Sequence, residues 1–366
     1  MSATTNTFGL TTFRYSSETK TFFKKTVGRT LGPREVLIQT THAGICYTDV
    51  HAKEKGCGLG HEGVGIVLVI GRDVTSIQVG DRVGWGWLHH SCGHCVTCVE
   101  GYRQYCAEAR GFAYGELDQG AFGDFAMWDE TFVYRIPDGI SSCEAAPLMC
   151  AGASVYEALD AAGTKPSDRI GIVGMGGLGH MALTFADHMG YAVTVFSNSE
   201  RKMTDATAMG ADEFRMLKPP GEYVNLNRAT AESPTHSPIN VLLITSNEVP
   251  DLGPLLPFLA RRATIVLMTI QTKPLLVPYM SFILPGHRII VSTEASRKNH
   301  LAMLEFADRK GIAPLVEEFP MTEAGIKLAF AKLERGEMRY RGVLVAQEPE
   351  HGRKRHRASS QSEDSE

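Results

Sequence analysis

The chain has no run approaching the roughly 18 apolar residues of a membrane-spanning helix, which excludes a helical span. It has no surplus of positive charge. Lys and Arg total 37 against 41 Asp and Glu, a net charge of −4, so the electrostatic case for nucleic acid or an anionic membrane as partner falls away. Its opening stretch, MSATTNTFGLTTFRYSS, lacks the apolar segment of a secretory signal, and none is expected. Eight cysteines are then expected in a reducing compartment, the cytoplasm, as thiols that bind metal. What is present is ordinary for a packed enzyme: 43% hydrophobic and 21% charged residues in a chain of 366, enough for about two domains.

Half of the cysteines stand in one short segment, SCGHCVTCVEGYRQYC. Cys92, Cys95, Cys98 and Cys106 are spaced C-x2-C-x2-C-x7-C. Four thiolates so close in sequence can wrap one tetrahedral Zn²⁺ and leave no room for water, which makes a closed, structural site. Two disulfides or four free thiols are the alternatives, and the repeated tight spacing favours zinc over both.

From about Arg34 to Gly86, short apolar runs alternate with Gly-Asp turns, a period-two pattern predicting the β-strands of a small barrel-like unit. SSCEAAPLMCAGASVYEALDAAG predicts a helix, with Ser141 and Glu144 as its capping box. From Arg169 to about Glu294, the apolar strands RIGIVG, AVTVFS, VLLIT and ATIVLM alternate with helical patterns, which implies parallel βαβ units. A helix over ASRKNHLAMLEFADRKGI and a strand at GVLVAQ follow. The tail has a basic block and then a Ser/acidic block with almost nothing apolar, so disorder is expected there; partner binding by the basic block is the less favoured reading.

A glycine loop links the first of those strands to its helix. Gly174, Gly176, Gly177 and Gly179 read GMGGLG, with Leu178 among them. Strand, loop, helix and second strand form the context in which this pattern binds a dinucleotide rather than making a plain turn. Gly174 permits the turn, Gly176 admits the pyrophosphate and Gly179 lets helix and strand approach. The end of the second strand selects the cofactor. Ser197, Asn198 and Ser199 replace the acid that binds a ribose 2′-OH, and Arg201 and Lys202 follow. Hydroxyls and cations suit a 2′-phosphate, so NADP(H) is expected over NAD(H); Glu200 runs against this unless it faces solvent.

These motifs, with GICYTDVH, GHEGVG, GDRVG, LMCAG and RYRGV, make the chain resemble the zinc-dependent medium-chain dehydrogenases/reductases, in the NADP-dependent cinnamyl-alcohol-dehydrogenase-like branch. The resemblance runs from about residue 30 to residue 346. It implies an α/β fold: a GroES-like, β-rich catalytic domain from residues 1–151 and 296–346, a doubly wound Rossmann domain from 152–295, and a tail at 347–366. It implies a second, open zinc site on Cys46, His61 and Cys150, hence two Zn²⁺ per chain. Glu62 is either an occasional fourth ligand or a carboxylate behind the ligands. The implied chemistry is hydride transfer from NADPH to a zinc-polarised aldehyde, giving a primary alcohol, with Thr48 and His51 relaying a proton and Asp49 orienting a ligand imidazole. A homodimer and a small-molecule aldehyde or alcohol substrate are implied as well.

The chain departs from that family in three places. Only 14 residues separate Cys46 from His61, and LGHE stands for PGHE, which unsettles the aromatic-alcohol preference. Cys57, inside this short loop, is expected at the surface rather than beside the metal. Arg103 stands where relatives carry Glu, with no disturbance of the zinc expected. ITSNE and GHRIIVSTEAS replace glycine-rich counterparts on the nicotinamide side. Trp85, Trp87, Phe112, Tyr114 and Phe282 are candidates for lining the pocket or for plain core. Reduction of a conjugated C=C or iminium bond, and a non-catalytic NADP-binding protein, are the competing functions. Retention of every expected ligand and glycine argues against both.

Overall fold

The computed structural model describes residues 7–217, 224–225 and 238–347. The expected disordered tail, apart from Gln347, lies outside the described residues. Two sheets organise the rest. The first is β-rich and runs Tyr134–Arg135, Arg82–Trp85, Glu62–Ile70, Glu35–Ile45, Arg341–Val345 and Val316–Pro320, with Phe125–Asp129 also pairing with Glu35–Ile45. Its centre shows why alternation reads as a strand: Val36 and Ile38 enter a core with Val67, Val83 and Trp85. Arg341–Val345 arrives from the far end of the chain. It pairs antiparallel with Glu35–Ile45, Gly342 opposite Ile45 and Val345 opposite His42.

The second sheet runs Val224–Asn225, Glu213–Met216, Ala192–Ser197, Arg169–Val173, Ile239–Ile244, Leu259–Leu267 and Arg288–Val291. All neighbours are parallel except the first pair. Counting only the parallel strands in chain order, the sequence across the sheet is 3-2-1-4-5-6, the doubly wound order with its switch point beside Arg169–Val173. Ile170, Ile172, Val193, Val195, Leu242 and Leu243 are fully buried, because helices cover such a sheet on both faces.

Ser141 caps its helix as the spacing predicts: its Oγ accepts from the Glu144 backbone N–H at 3.2 Å. The helix expected to run on unbroken does not. Ser142–Pro147 gives way to a π-helical turn, Leu148–Gly152, before Ala153–Ala161 resumes α geometry. Such wide turns often mark functional positions, and Cys150 sits in this one. The opening stretch forms a hairpin, Thr7–Ser16 with Thr21–Thr30. Leu10 and Phe13 point inward while Lys24 and Lys25 stay outside. Among the described residues, no helix is long and apolar enough to cross a membrane.

Candidate active site and metal centres

Cys46 follows the strand Glu35–Ile45 and caps the short helix Tyr47–Ala52. Its Sγ accepts the Thr48 backbone N–H at 3.3 Å, while its own backbone N–H donates to Asp49 at 2.9 Å. Asp49 is fully buried and faces the His61 Nδ1 at 3.1 Å, so Nε2 is turned toward Cys46 Sγ, 3.2 Å away. Phe112 stacks on the other face of this imidazole, ring centres 4.8 Å apart. The π-turn supplies Cys150. Ligand atoms of Cys46, His61, Glu62 and Cys150 all lie within 4.8 Å of one another.

The protonation of the cluster fits a cation site. A hydrogen bond from the Cys150 thiol, together with His61, holds the Cys46 thiol well below its usual range; the same hydrogen bond and burial hold Cys150 well above. Burial would lower the His61 pKa, but Asp49 and Cys46 outweigh it and raise it. A divalent cation bound among these donors would take them as thiolates and neutral imidazole and displace any protons they carry. Burial also pushes Glu62 up to about 7, against the Arg341 guanidinium that donates to its Oε1. Glu62 Oε2 is buried without a partner among the described residues, and Oε1 lies 3.9 Å from His61 Nε2.

The four-cysteine segment folds into a second cluster. Sγ separations are 3.6 Å for Cys92–Cys106, 3.9 Å for Cys95–Cys106 and 4.0 Å for Cys92–Cys98. A tetrahedron with zinc–sulfur bonds of about 2.3 Å has edges of about 3.8 Å, whereas a disulfide needs about 2.05 Å. All eight cysteines are free. Backbone N–H groups of Cys95 and Glu108 donate to the sulfurs of Cys92 and Cys106, each at 3.4 Å, as suits thiolates. Arg103 points away, to the Thr131 carbonyl and the Tyr134 hydroxyl, each at 2.7 Å.

Between the two sheets lies a cleft. Cys46, Thr48, His51 and Cys150 line one end; Gly176, Gly177, Leu178 and Lys202 line the other. Gly174 has φ +98° and packs its Cα on the Ser246 backbone, so a side chain is excluded twice over. A Cβ on Gly179 would stand 1.8 Å from the Gly174 carbonyl oxygen, whereas one on Gly176 would meet nothing within 4 Å, leaving its backbone open to a ligand.

Residues 32–138 match the GroES-like domain of alcohol dehydrogenases. A probable cinnamyl alcohol dehydrogenase of Populus deltoides is 35% identical over 331 residues, covering 86% of this chain and 89% of that protein. The chain belongs to the cinnamyl alcohol dehydrogenase family of zinc-dependent medium-chain dehydrogenases/reductases. The solved cinnamyl alcohol dehydrogenase of Sorghum bicolor has TM-score 0.82 and 30% identity, covering 92% of this chain and 98% of that one. A CAD from Helicobacter pylori, solved with NADP(H), has TM-score 0.79 and 26% identity, covering 93% and 97%. The protein is an alcohol dehydrogenase, with GroES-like and Rossmann sheets.

Several sequence expectations change place in this alcohol dehydrogenase. Cys57 is not at the surface. It is fully buried, its thiol pushed up to about 11 by burial, because the short loop folds inward. None of the five candidate aromatics lines the cleft. Trp85 packs flat on Gly63, Trp87 on Gly111, Phe112 on His61 and Phe282 in the Rossmann core, while Tyr114 is 68% exposed. Ser197 is buried, and its Oγ accepts the Ser199 N–H at 3.2 Å. Asn198 and Arg201 are exposed; of the strand-end residues, Lys202 reaches the cleft. Two arginines join the site from the far end of the chain. Arg339 and Arg201 lie near enough to Lys202 to lower its pKa, after burial. Arg341 links Glu62 to the glycine loop, its Nη1 2.9 Å from where a Gly177 Cβ would be. Both stand in RYRGV, whose fold-back no local pattern announces.

Proposed function

We propose that this alcohol dehydrogenase reduces an aldehyde to a primary alcohol with NADPH, reversibly, at the Cys46–His61–Cys150 cluster. The observation carrying the reading is one cleft with a cation-ready donor set at one end and an open glycine loop with Lys202 at the other. Zinc bound there would polarise a carbonyl oxygen, and NADPH would supply the hydride. Asp49 fixes the His61 tautomer and keeps Nε2 facing the site. Thr48 offers its hydroxyl to a developing alkoxide, and His51, at the exposed edge, passes a proton to solvent. No hydrogen bond joins Thr48 to His51 among the described residues, so a bridging hydroxyl or water completes the relay.

Lys202, Arg201 and Arg339 form the cationic corner for a 2′-phosphate, with Gly174, Gly176, Gly177, Leu178 and Gly179 cradling the pyrophosphate. The Cys92–Cys106 cluster holds a second, closed zinc. We assign 1–151 and 296–346 to the catalytic domain and 152–295 to the nucleotide domain, with the cytoplasm as the compartment that keeps the thiols reduced. The edge strand Arg288–Val291 and the exposed Tyr279, Met280, Ile283 and Leu284 beside it suit a homodimer formed through the Rossmann sheets. The test is oxidation of NADPH and, in parallel, NADH over aliphatic, aromatic and α,β-unsaturated aldehydes. NADPH should be used far better; an NADH preference would overturn the cationic-corner assignment.

A further inference from the structure

The four-cysteine lobe carries a second donor set on its outer side. Ligand atoms of Cys92, His94 and Glu108 all lie within 4.8 Å of one another, with His94 and Glu108 exposed and Cys92 half-buried. Two turns wrapped around sulfurs bring them together. In the first, Gly93 takes φ +76° between Cys92 and His94. The His94 Nδ1–H donates to the Cys92 carbonyl at 2.8 Å, which holds the ring beside Cys92 and leaves Nε2 as the nitrogen with a free lone pair. In the second, the Glu108 backbone N–H donates to Cys106 Sγ at 3.4 Å, and that sulfur is 3.6 Å from Cys92 Sγ. Among the described residues the Glu108 carboxylate has no hydrogen bond or ion pair of its own. Thiolate, imidazole and carboxylate are the three ligand types zinc accepts, and one of each leaves a place for water, the pattern of an open site. The four-thiolate site behind it is closed, and Cys106 is the one fully buried thiol of its four. Cys92 belongs to both sets, so a metal on the outer one already holds one of its four final sulfurs.

Resting on the reading that the four cysteines hold zinc, we propose that Cys92, His94 and Glu108 form a transfer site that Zn²⁺ occupies on its way into and out of the closed one. On the way in, Cys92 keeps its sulfur–metal bond. His94, Glu108 and a water give up theirs, while Cys95, Cys98 and Cys106 form three new ones and release their thiol protons to solvent. The ion stays divalent throughout, and its ligands change one at a time rather than all at once. A site that is only crossed alters the rate in both directions equally and leaves the equilibrium occupancy where it was.

The test is isotope exchange on the zinc-loaded full chain: isotopically enriched Zn²⁺ is added, and the metal held by the intact protein is followed by mass spectrometry. The phase that persists in Cys46→Ser, which lacks a ligand of the other site, belongs to the four cysteines. That phase should slow about tenfold or more when His94→Ala and Glu108→Gln are combined, the order lost when a group supporting a bound metal is removed. Zinc content and Tm should stay at their wild-type values. Glu100→Gln removes an exposed charge from the same lobe without touching the donor set, and it should exchange at the wild-type rate. An unchanged rate in the double variant would overturn the inference. So would zinc content or Tm falling together with the rate, which marks His94 and Glu108 as structural, or equal slowing in Glu100→Gln, which marks the field of the lobe. Elemental analysis finding no zinc in Cys46→Ser would instead overturn the reading of the four-cysteine cluster, and this inference with it.

Discussion

Cys46 caps a helix with the same sulfur it turns toward His61, and that double duty places Thr48 and Asp49 on either side of the site. Thr48→Val keeps the shape and removes the hydroxyl, so turnover should fall by roughly 10²–10⁴-fold, the range of general acid–base groups. His51 is exposed and solvent can stand in for it; steady-state rates of His51→Gln should fall less and its pH profile should move. Ser197→Asp retains an acceptor for the Ser199 N–H but sets a negative charge near Lys202 and Arg201. Titrations should show weaker NADPH and stronger NADH binding; unchanged preference would remove this strand end from cofactor choice. The cysteine knot and glycine loop were legible because their residues are close in sequence. Arg339 and Arg341 were not, since each becomes a site residue only through a contact with a distant segment, such as Arg341 with Glu62 across the sheet.

At the scale of elements, the strand–loop–helix unit leaves no tolerance at Gly179. Gly179→Val would drive a Cβ against the Gly174 carbonyl and Thr245 and add two methyls beyond it, so helix and strand must part. Calorimetry should show a lowered Tm, and NADP(H) should no longer raise it by binding. In the knot, Cys98→Ser removes one of four thiolates. Unfolding experiments should show lost stability and elemental analysis one zinc fewer, because a structural ion contributes folding energy directly. Periodicity revealed the Rossmann strands, whose β-branched runs are buried on both faces. It missed the π-turn at Leu148–Gly152, since an inserted turn leaves no mark in a helix-like sequence, and it missed the N-terminal hairpin, whose threonines read as merely polar.

For the whole molecule, the two sheets meet over one cleft because the chain returns at Arg341–Val345 to pair with Glu35–Ile45. That return brings Arg339 and Arg341 to the cofactor side and closes the catalytic sheet. Light scattering should give twice the 40.0 kDa of one chain if the exposed Rossmann edge is covered by a second copy. A mass of one chain would leave that edge free and remove the dimer from the account. The measurement that bears most directly on the central claim is product analysis after the enzyme has consumed NADPH with an α,β-unsaturated aldehyde. The allylic alcohol should form, one equivalent per NADPH oxidised, and its formation should be lost when Cys46 is replaced by Ser. The saturated aldehyde, or product formed at an undiminished rate by Cys46→Ser, would contradict it.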